Sequence, residues 1–378
     1  MPMKRFHLDR HAVVPLHAQI YDAISTMIQK DELMTGDGLP SEHELAQELM
    51  VSRATVRQAF VRLGQDGLLV SQAGKGTFVG TRPSSVRQVV IALLVIGFSE
   101  ASHHKRQGVY GSLVRGMADA TAKWEVLFNI FHFPIGSDLR TCLARINAQR
   151  FDGVLVRTWA NVTKGDITSL TECGLPYVFI KRRMPNRAIN SVIIDDIQGG
   201  YLAVDHLICL GHRRIGIITG PSDIHIFKDR LIGAEQAFAA RGLRLDRSLV
   251  VSTPTTLDVD GFRCMCSLLE LPSPPTAVFV SGDVMASGAY DAARQHGIQI
   301  PRGVSIIGFD DIEAAALFTP PLTTIRTSYL KLGRAAAELL LDLIRGSQSS
   351  PAERIIHPVL VVRESTMRCE KSDVRSSA

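Results

Sequence analysis

The sequence predicts an α/β protein in two parts: a small helical unit ending in a hairpin, then a two-lobed region of doubly wound parallel sheet. Three observations lead there. Three helical segments and two short apolar runs fill residues 16–79. Gly80–Gln88 (GTRPSSVRQ) contains Pro and Ser, has no periodicity, and reads as a linker. Beyond it, short apolar runs alternate with amphipathic helical segments, the pattern of a parallel sheet covered on both faces. The expected boundaries are 1–80 for the first domain, 81–88 for the linker and 89–370 for the two lobes, with a disordered tail at 371–378.

The elements of the first part follow from spacing. In LHAQIYDAISTMIQK, Leu16, Ile20, Ala23, Ile24, Met27 and Ile28 recur at helical intervals and predict an amphipathic helix over 16–30. After Pro40, Ser41 can cap a helix start while Glu44, three residues on, reaches back, which is a capping box. That helix should run to about Met50. Ser52 is placed to cap a third helix, whose apolar positions Val56, Ala59, Phe60 and Leu63 share one face. Gly67 suits the left-handed residue that ends it. Leu68–Val70 and Thr77–Val79 read as two strands joined by the tip Gln72–Gly76, which holds two glycines. Three helices and a hairpin make a winged helix-turn-helix, in which the third helix enters the DNA major groove and the wing lies along the backbone or minor groove.

Charge placement supports that reading better than the net charge of +5. Residues 51–82 carry Arg53, Arg57, Arg62, Lys75 and Arg82 against Asp66 alone, while the other acids of the first part, Asp9 apart, sit from Asp22 to Glu48. A surface that is basic on one face suits phosphate binding. Ser52, Arg53, Thr55 and Arg57 occupy the first two turns of the third helix, and an Arg there can donate two hydrogen bonds to guanine. The hydroxyls of Ser52 and Thr55, the Lys75 amine and the Gly74 and Gly76 amides suit phosphate oxygens. Ser41 and His43, at the start of the second helix, complete the candidate DNA-binding set.

LPSEHELAQELMVSRATVRQAFVRLGQDGLLVSQAGKGTFV resembles the GntR-type winged helix over almost its whole length, and PLHAQIYDAI resembles the first helix of that family. The resemblance implies double-stranded operator DNA as a partner. His43 stands where the family usually has a DNA-contacting Arg, so a different contact is expected there.

In the second part, strands are predicted at Val89–Ile96, Gly153–Val156, Tyr177–Ile180, Val192–Ile194, Ile215–Thr219, Ala277–Val280 and Ser305–Phe309. The helices between them include Gly111–Lys123, Gly199–Leu210, Arg230–Arg241, Val284–His296 and Leu332–Arg345. Ligands of open α/β sheets bind beyond the carboxyl ends of the strands. The residues there include Phe98, Lys181 with Arg182, Asp195 with Asp196, Ser281 to Asp283, and Asp310 with Asp311. Carboxylates and an Arg that converge on a cleft suit a polyol, because Asp accepts from hydroxyls and Arg donates to oxygens. A loop cap or strand-end hydrogen bond is the competing role for each one, above all for Asp283 beside a helix start.

DDIQGGYLAVDHLICLGHRRIGIITGP, DRLIGAEQAFAARGL, PTAVFVSGDVMASGAYDAARQHGIQIPRGVSIIGFDD, PPLTTIR and LVVREST, in this order, resemble the LacI/GalR effector-binding core. That core is a two-lobed, periplasmic-binding-protein-like fold, and the resemblance covers about 89–368. It implies effector contacts at Arg230 and Asp283, with Phe98, Lys181, Asp196 and Asp310 as further cleft residues. Lys181 stands where many members carry Asp, and Asp196 where Asn is commoner. The first departure shifts the expected ligand toward an acidic or otherwise different compound. The small helix-turn-helix and hinge helix of that family are absent, and the combination with a GntR-type reader resembles arabinose-responsive repressors.

Other classes find little support. No run approaches the roughly 18 apolar residues of a membrane helix, and the charged start, broken by Pro15, has no apolar leader. A cytoplasmic protein without membrane association is therefore expected. Cys142, Cys173, Cys209, Cys264, Cys266 and Cys369 form no CxxC pair, and neither metal nor cofactor is expected. Nucleophile elbows, P-loops, HExxH and GxGxxG are missing, so no enzyme is expected. Two alternatives stay open. One is fusion to a pyridoxal-phosphate aminotransferase-like domain, which would need a Schiff-base Lys in a strand-loop setting, whereas Lys164, Lys228 and Lys331 lie in loop or helix surroundings. The other is a regulator that answers a non-sugar effector. The reading that results is a homodimeric repressor of carbohydrate-utilisation genes on a pseudo-palindromic operator, controlled by a sugar or related molecule between two lobes.

Overall fold

The computed structural model describes residues 8–10, 14–30, 32–72, 76–80, 88–98, 107–134, 136–158, 162–182, 189–348 and 351–370. The chain divides into two compact units at residues 88 and 89. The expected linker, but for Gln88, and the expected tail at 371–378 lie outside the described residues.

The first unit holds α1 (Leu16–Gln29), β1 (Gly38–Leu39), α2 (Glu42–Glu48), α3 (Arg53–Gln65), β2 (Leu69–Gln72) and β3 (Gly76–Val79). Its core joins Ile20 and Ile24 of α1, Leu45 of α2, Val56, Ala59 and Leu63 of α3, and Leu69 and Val79 of the hairpin. The predicted caps form. Ser41 Oγ accepts the Glu44 amide at 3.2 Å while Glu44 Oε2 accepts the Ser41 amide at 2.8 Å. Ser52 Oγ accepts the Thr55 amide at 3.1 Å, and α3 ends before Gly67 at φ +70°. The short β1 pairs antiparallel with β3 and makes a third strand that no periodicity announced, since two residues carry none.

The second unit is two sheets of six strands. Lobe 1 contains β4 (Val89–Phe98), α4 (Gln107–Thr121), β5 (Val126–Pro134), α5 (Leu139–Arg145), β6 (Gly153–Thr158), α6 (Lys164–Glu172), β7 (Tyr177–Ile180) and β8 (Ser191–Ile194). Lobe 2 contains α7 (Asp196–Cys209), β9 (Ile215–Thr219), α8 (His225–Ala240), β10 (Val250–Ser252), α9 (Asp258–Leu269), β11 (Ala277–Val280), α10 (Asp283–Gln295), β12 (Ser305–Asp310) and β13 (Thr323–Arg326). The chain then returns to lobe 1 for α11 (Tyr329–Ile344) and β14 (Glu353–Ile356), and ends on lobe 2 with β15 (Val359–Val361). The first sheet runs β14-β8-β7-β6-β4-β5, all parallel. The second runs β10-β9-β11-β12-β13-β15, parallel except for the last pair. Each sheet is buried on both faces, as its near-continuous apolar strands require. The chain therefore crosses between lobes three times, at Asp195, at Thr327–Ser328 and at His357–Pro358.

Every strand expected from the sequence is present, and the helices begin earlier than apolar spacing suggested. The segment expected at Arg230–Arg241 starts at His225, and that expected at Leu332–Arg345 starts at Tyr329. Those first turns carry residues with polar partners, His225 with Arg182 of the other lobe and Tyr329 with Lys181 of its own, so the apolar stripe begins inside the helix.

Three helix pairs are locked by reciprocal glycines. A Cβ at Gly200 of α7 would overlap the Arg230 carbonyl oxygen of α8, and one at Gly233 would overlap the Ile197 carbonyl. Gly261 and Gly288 stand in the same relation for α9 and α10, as do Gly116 and Gly333 for α4 and α11. Gly288→Ala should therefore cost about 1–3 kcal/mol through overpacking against backbone. Gly111→Ala, on the same kind of helix but facing open space, should be neutral or stabilising by up to about 1 kcal/mol. Thermal unfolding of the two variants tests the contrast.

Candidate functional site

Helix α3 buries Val56, Ala59 and Phe60 and turns Arg53 and Arg57 outward. Ser52 and the partly buried Thr55 stand beside them, their hydroxyl oxygens 2.8 Å apart. On α2, His43 is exposed, with Nε2 3.2 Å from Gln47 Nε2 one turn on. The Ser41 hydroxyl is committed to its cap, and hydrogen bonds from the Ser41 backbone amide, then from its side chain, hold the Glu44 carboxyl below the usual range. Gly76 opens β3 at φ +114°, a backbone conformation that favours glycine. Gly74 and Lys75 lie outside the described residues.

In the second unit, Asp196, Ser281 and Asp310 converge on Arg230. This residue sits in α8 and is 1% exposed. Its Nε donates to Asp196 Oδ1 at 2.8 Å, Nη1 to the Ser281 carbonyl at 2.5 Å and Nη2 to Asp310 Oδ1 at 3.5 Å. The guanidinium lies 3.6 Å from the centroid of the Phe309 ring. Burial opposes its charge, and the carboxylates of Asp196 and then Asp310 more than offset that cost. Asp196 opens α7, Ser281 follows β11 and Asp310 closes β12, so one side chain gathers three segments at the carboxyl end of the sheet.

Asp283 corrects its expected role as a helix cap. Gly282 is the N-cap and no side chain caps this helix. The Asp283 carboxyl, fully buried, instead accepts Thr324 Oγ1 at 2.7 Å and the Ile312 amide at 3.0 Å. Burial, and then the charge of Asp310, push it up to about 8, so it carries its proton near neutral pH. Asp310 and Asp311 both have positive φ, +107° and +55°. Asp311 pairs with Arg326 at 2.6 Å and Arg363 at 2.7 Å, and so fastens β13 and the C-terminal segment.

Lobe 1 contributes Lys181 and Arg182, directly after β7. Lys181, at φ +58° and 2% exposed, donates from Nζ to Tyr329 Oη at 3.0 Å. Arg182 Nη1 lies 2.8 Å from Nδ1 of His225, the first residue of α8, and so bridges the lobes. Burial and then the Arg182 charge lower His225 to about 4. The imidazole is therefore neutral, with Nδ1 accepting and the proton on Nε2. Arg157, near the end of β6, is 7% exposed. A cavity of about 20 Å³, room for one water, lies between Lys181, Asp195, Asp196, His225 and Asp229. Phe98 ends β4, and its side chain lies outside the described residues.

Sequence reasoning missed His225, Tyr329, Thr324 and Arg157. Arg157 left a trace, as a charged residue inside the apolar strand GVLVRT. The others occupy helix starts and a strand whose partners only the fold supplies.

Among the described residues, no helix is long and apolar enough to cross a membrane, and no group of three or more His, Cys, Asp or Glu could hold a metal ion. A winged helix-turn-helix followed by two lobes around a buried polar cleft defines a class, the effector-responsive DNA-binding regulators. Known proteins narrow it. Residues 16–79 match the gntR family of bacterial regulatory proteins, and residues 204–366 match the periplasmic binding protein-like domain. The HTH-type transcriptional repressor CytR of Escherichia coli K12 is 38% identical over 191 residues, which is 50% of this chain and 56% of that protein. The chain thus spans little more than half the length of such relatives. The arabinose metabolism transcriptional repressor of Geobacillus stearothermophilus is 30% identical over 371 residues, 94% of this chain and 99% of that protein. The structure of the transcriptional regulator CelR with cellobiose has a TM-score of 0.67 at 27% identity, covering 86% of this chain and 100% of that one. The chain belongs to the family of the arabinose metabolism repressor, in which a GntR-type reader precedes a LacI-type sensor.

The Asp283 carboxyl sets a pH dependence. The folded protein keeps this proton to about 8, whereas the unfolded chain releases it near pH 4. Between those values the folded state binds the extra proton, so this contribution to stability is full below the unfolded value and is lost as pH rises through the folded one. Asp283→Asn cannot ionise. Its melting temperature relative to the parent chain should climb as pH rises from about 5 to about 8, and a constant difference would contradict the assignment.

Proposed function

We propose that this protein is a sequence-specific DNA-binding repressor of carbohydrate-utilisation genes, whose operator affinity is set by a sugar or sugar derivative held between its lobes. The observation that carries the reading is the Arg230 network. A buried guanidinium joined to Asp196, Ser281 and Asp310 sits at the carboxyl ends of the lobe 2 strands, where open α/β sheets bind ligands. Residues 1–80 are the reader, 81–88 the linker and 89–370 the sensor in this reading. Relatives that regulate arabinose metabolism or bind cellobiose support the carbohydrate class.

Ser41, His43, Ser52, Arg53, Thr55, Arg57, Gly74, Lys75 and Gly76 form the DNA-contacting set, with Arg53 and Arg57 over base edges and the others toward phosphates. Phe98, Lys181, Asp196, Arg230, Asp283 and Asp310 form the effector set. The chain acts as a homodimer, because one module covers too little surface for tight specific binding and a paired operator matches two-fold symmetry. It is a binding protein with no catalytic role or cofactor, and it works in the cytoplasm, where its operator is.

The cavity has room for one water, so a sugar enters only when the lobes part and is then enclosed as they close. That motion turns on the three crossing segments. A ligand that prefers one lobe arrangement shifts the population of DNA-competent dimers.

Electrophoretic shift on the protein's own promoter region tests the reader. Arg53→Ala or Arg57→Ala should cost about 1–3 kcal/mol on the operator and little on unrelated DNA, while equal weakening on all sequences would make that Arg a phosphate contact. For the sensor, Asp283→Ala and Arg230→Lys should bind operator normally and fail to release it with an effector found by thermal-shift screening. Variants that lose operator binding together would point to a structural role for the network.

A further inference from the structure

Lys181 is a buried cation. Its ammonium can donate three hydrogen bonds, and among the described residues it makes one, to Tyr329 Oη, with the ring centroid 5.1 Å away. Among the described residues, no carboxylate pairs with it.

The acids around the cleft are already engaged. Asp196 and Asp310 hold Arg230, and Asp195 Oδ1 accepts the Gln198 amide at 3.0 Å as the cap of α7. Asp283 is occupied by Thr324 and Ile312, and Asp229 has a partner of its own. Arg182 follows in the chain and Arg157 stands near the end of the neighbouring strand β6, each 7% exposed. Lys181, Arg182 and Arg157 all act on His225, and each disfavours its protonation. Beside Arg230, the Ser281 hydroxyl is 1% exposed and has no hydrogen-bond partner. A buried ammonium in this setting is strongly unfavourable unless something supplies the opposite charge.

We infer that the effector is an anion: a sugar-sized molecule whose carboxylate or phosphate group is the counter-ion of Lys181, with Arg182 and His225 alongside. This deepens the reading of the cleft as the effector site and rests on it. The shared chemistry is a compact oxyanion, which Lys181 takes as a point charge. The hydroxyls of the ligand fall to Arg230 and its carboxylates.

Thermal unfolding of the full chain in inorganic phosphate, sulfate or acetate, against chloride at matched ionic strength, decides the matter. At least one oxyanion should raise the melting temperature saturably above chloride, and Lys181→Met should weaken that effect roughly tenfold or more. In chloride alone, Lys181→Met should melt higher than the parent chain, because an uncompensated buried charge has gone. Oxyanions that do no more than chloride would overturn the proposal. So would a Lys181→Met chain that melts lower in chloride, since Tyr329 would then satisfy the ammonium as a structural group. Gluconate, glucose 6-phosphate and glucose then separate the sources of the charge. Release of operator by the acid or by the phosphate ester, lost in Lys181→Met, identifies carboxylate or phosphate. Release by glucose, unchanged in Lys181→Met, overturns the anion and leaves the effector-controlled repressor standing.

Discussion

The guanidinium of Arg230 is the interaction on which the sensor depends. A charge that is 1% exposed survives only with its partners in place, and here they come from the start of α7, the end of β11 and the end of β12. The dependence reaches outward. Gly200 lies against the Arg230 carbonyl, so the seat of this side chain is set by how closely α7 and α8 approach. Asp310, one of its partners, keeps its place at φ +107°, and its charge helps hold the proton on Asp283. Asp283 in turn joins the Thr324 hydroxyl to the Ile312 amide. The polar floor of the cleft is thus one connected object.

One contact between the lobes stands at the cleft: Arg182 of lobe 1 meets His225 at the start of α8 in lobe 2. Lys181 meets Tyr329 within lobe 1, just past the second crossing. Both lie beside the cavity and both involve cations. Each lobe has two apolar layers of its own, so the lobes can change their relation without exposing a core. A ligand that rearranges the Arg182–His225 contact changes the balance between lobe arrangements, which is what an effector must do.

The sequence was most legible where structure is local. The capping box at Ser41 and Glu44, the Ser52 cap and the Gly67 stop each depend on residues within about four positions, and all formed as read. Strands buried on both faces announced themselves as apolar runs. Legibility fell where partners are distant. Asp283 looked like a cap because helix starts favour Asp, yet its partners are Thr324, 41 residues away, and Ile312, 29 residues away. His225 and Tyr329 gave no signal, since nothing in their sequence neighbours marks Arg182 and Lys181 as their partners.

By itself the sequence determined the two-part plan, the outward face of α3 with Arg53 and Arg57, and the strand ends where Lys181, Asp196, Asp283 and Asp310 would stand. Periodicity and capping are short-range, and the chain writes them down directly. The tertiary structure decided what those residues do together: that Arg230 binds two carboxylates, that Asp283 is protonated, and that Lys181 is buried with no carboxylate beside it among the described residues. Those properties belong to burial and to charges brought together from far along the chain, and the electrostatic cost of a buried charge is fixed only once its neighbours are.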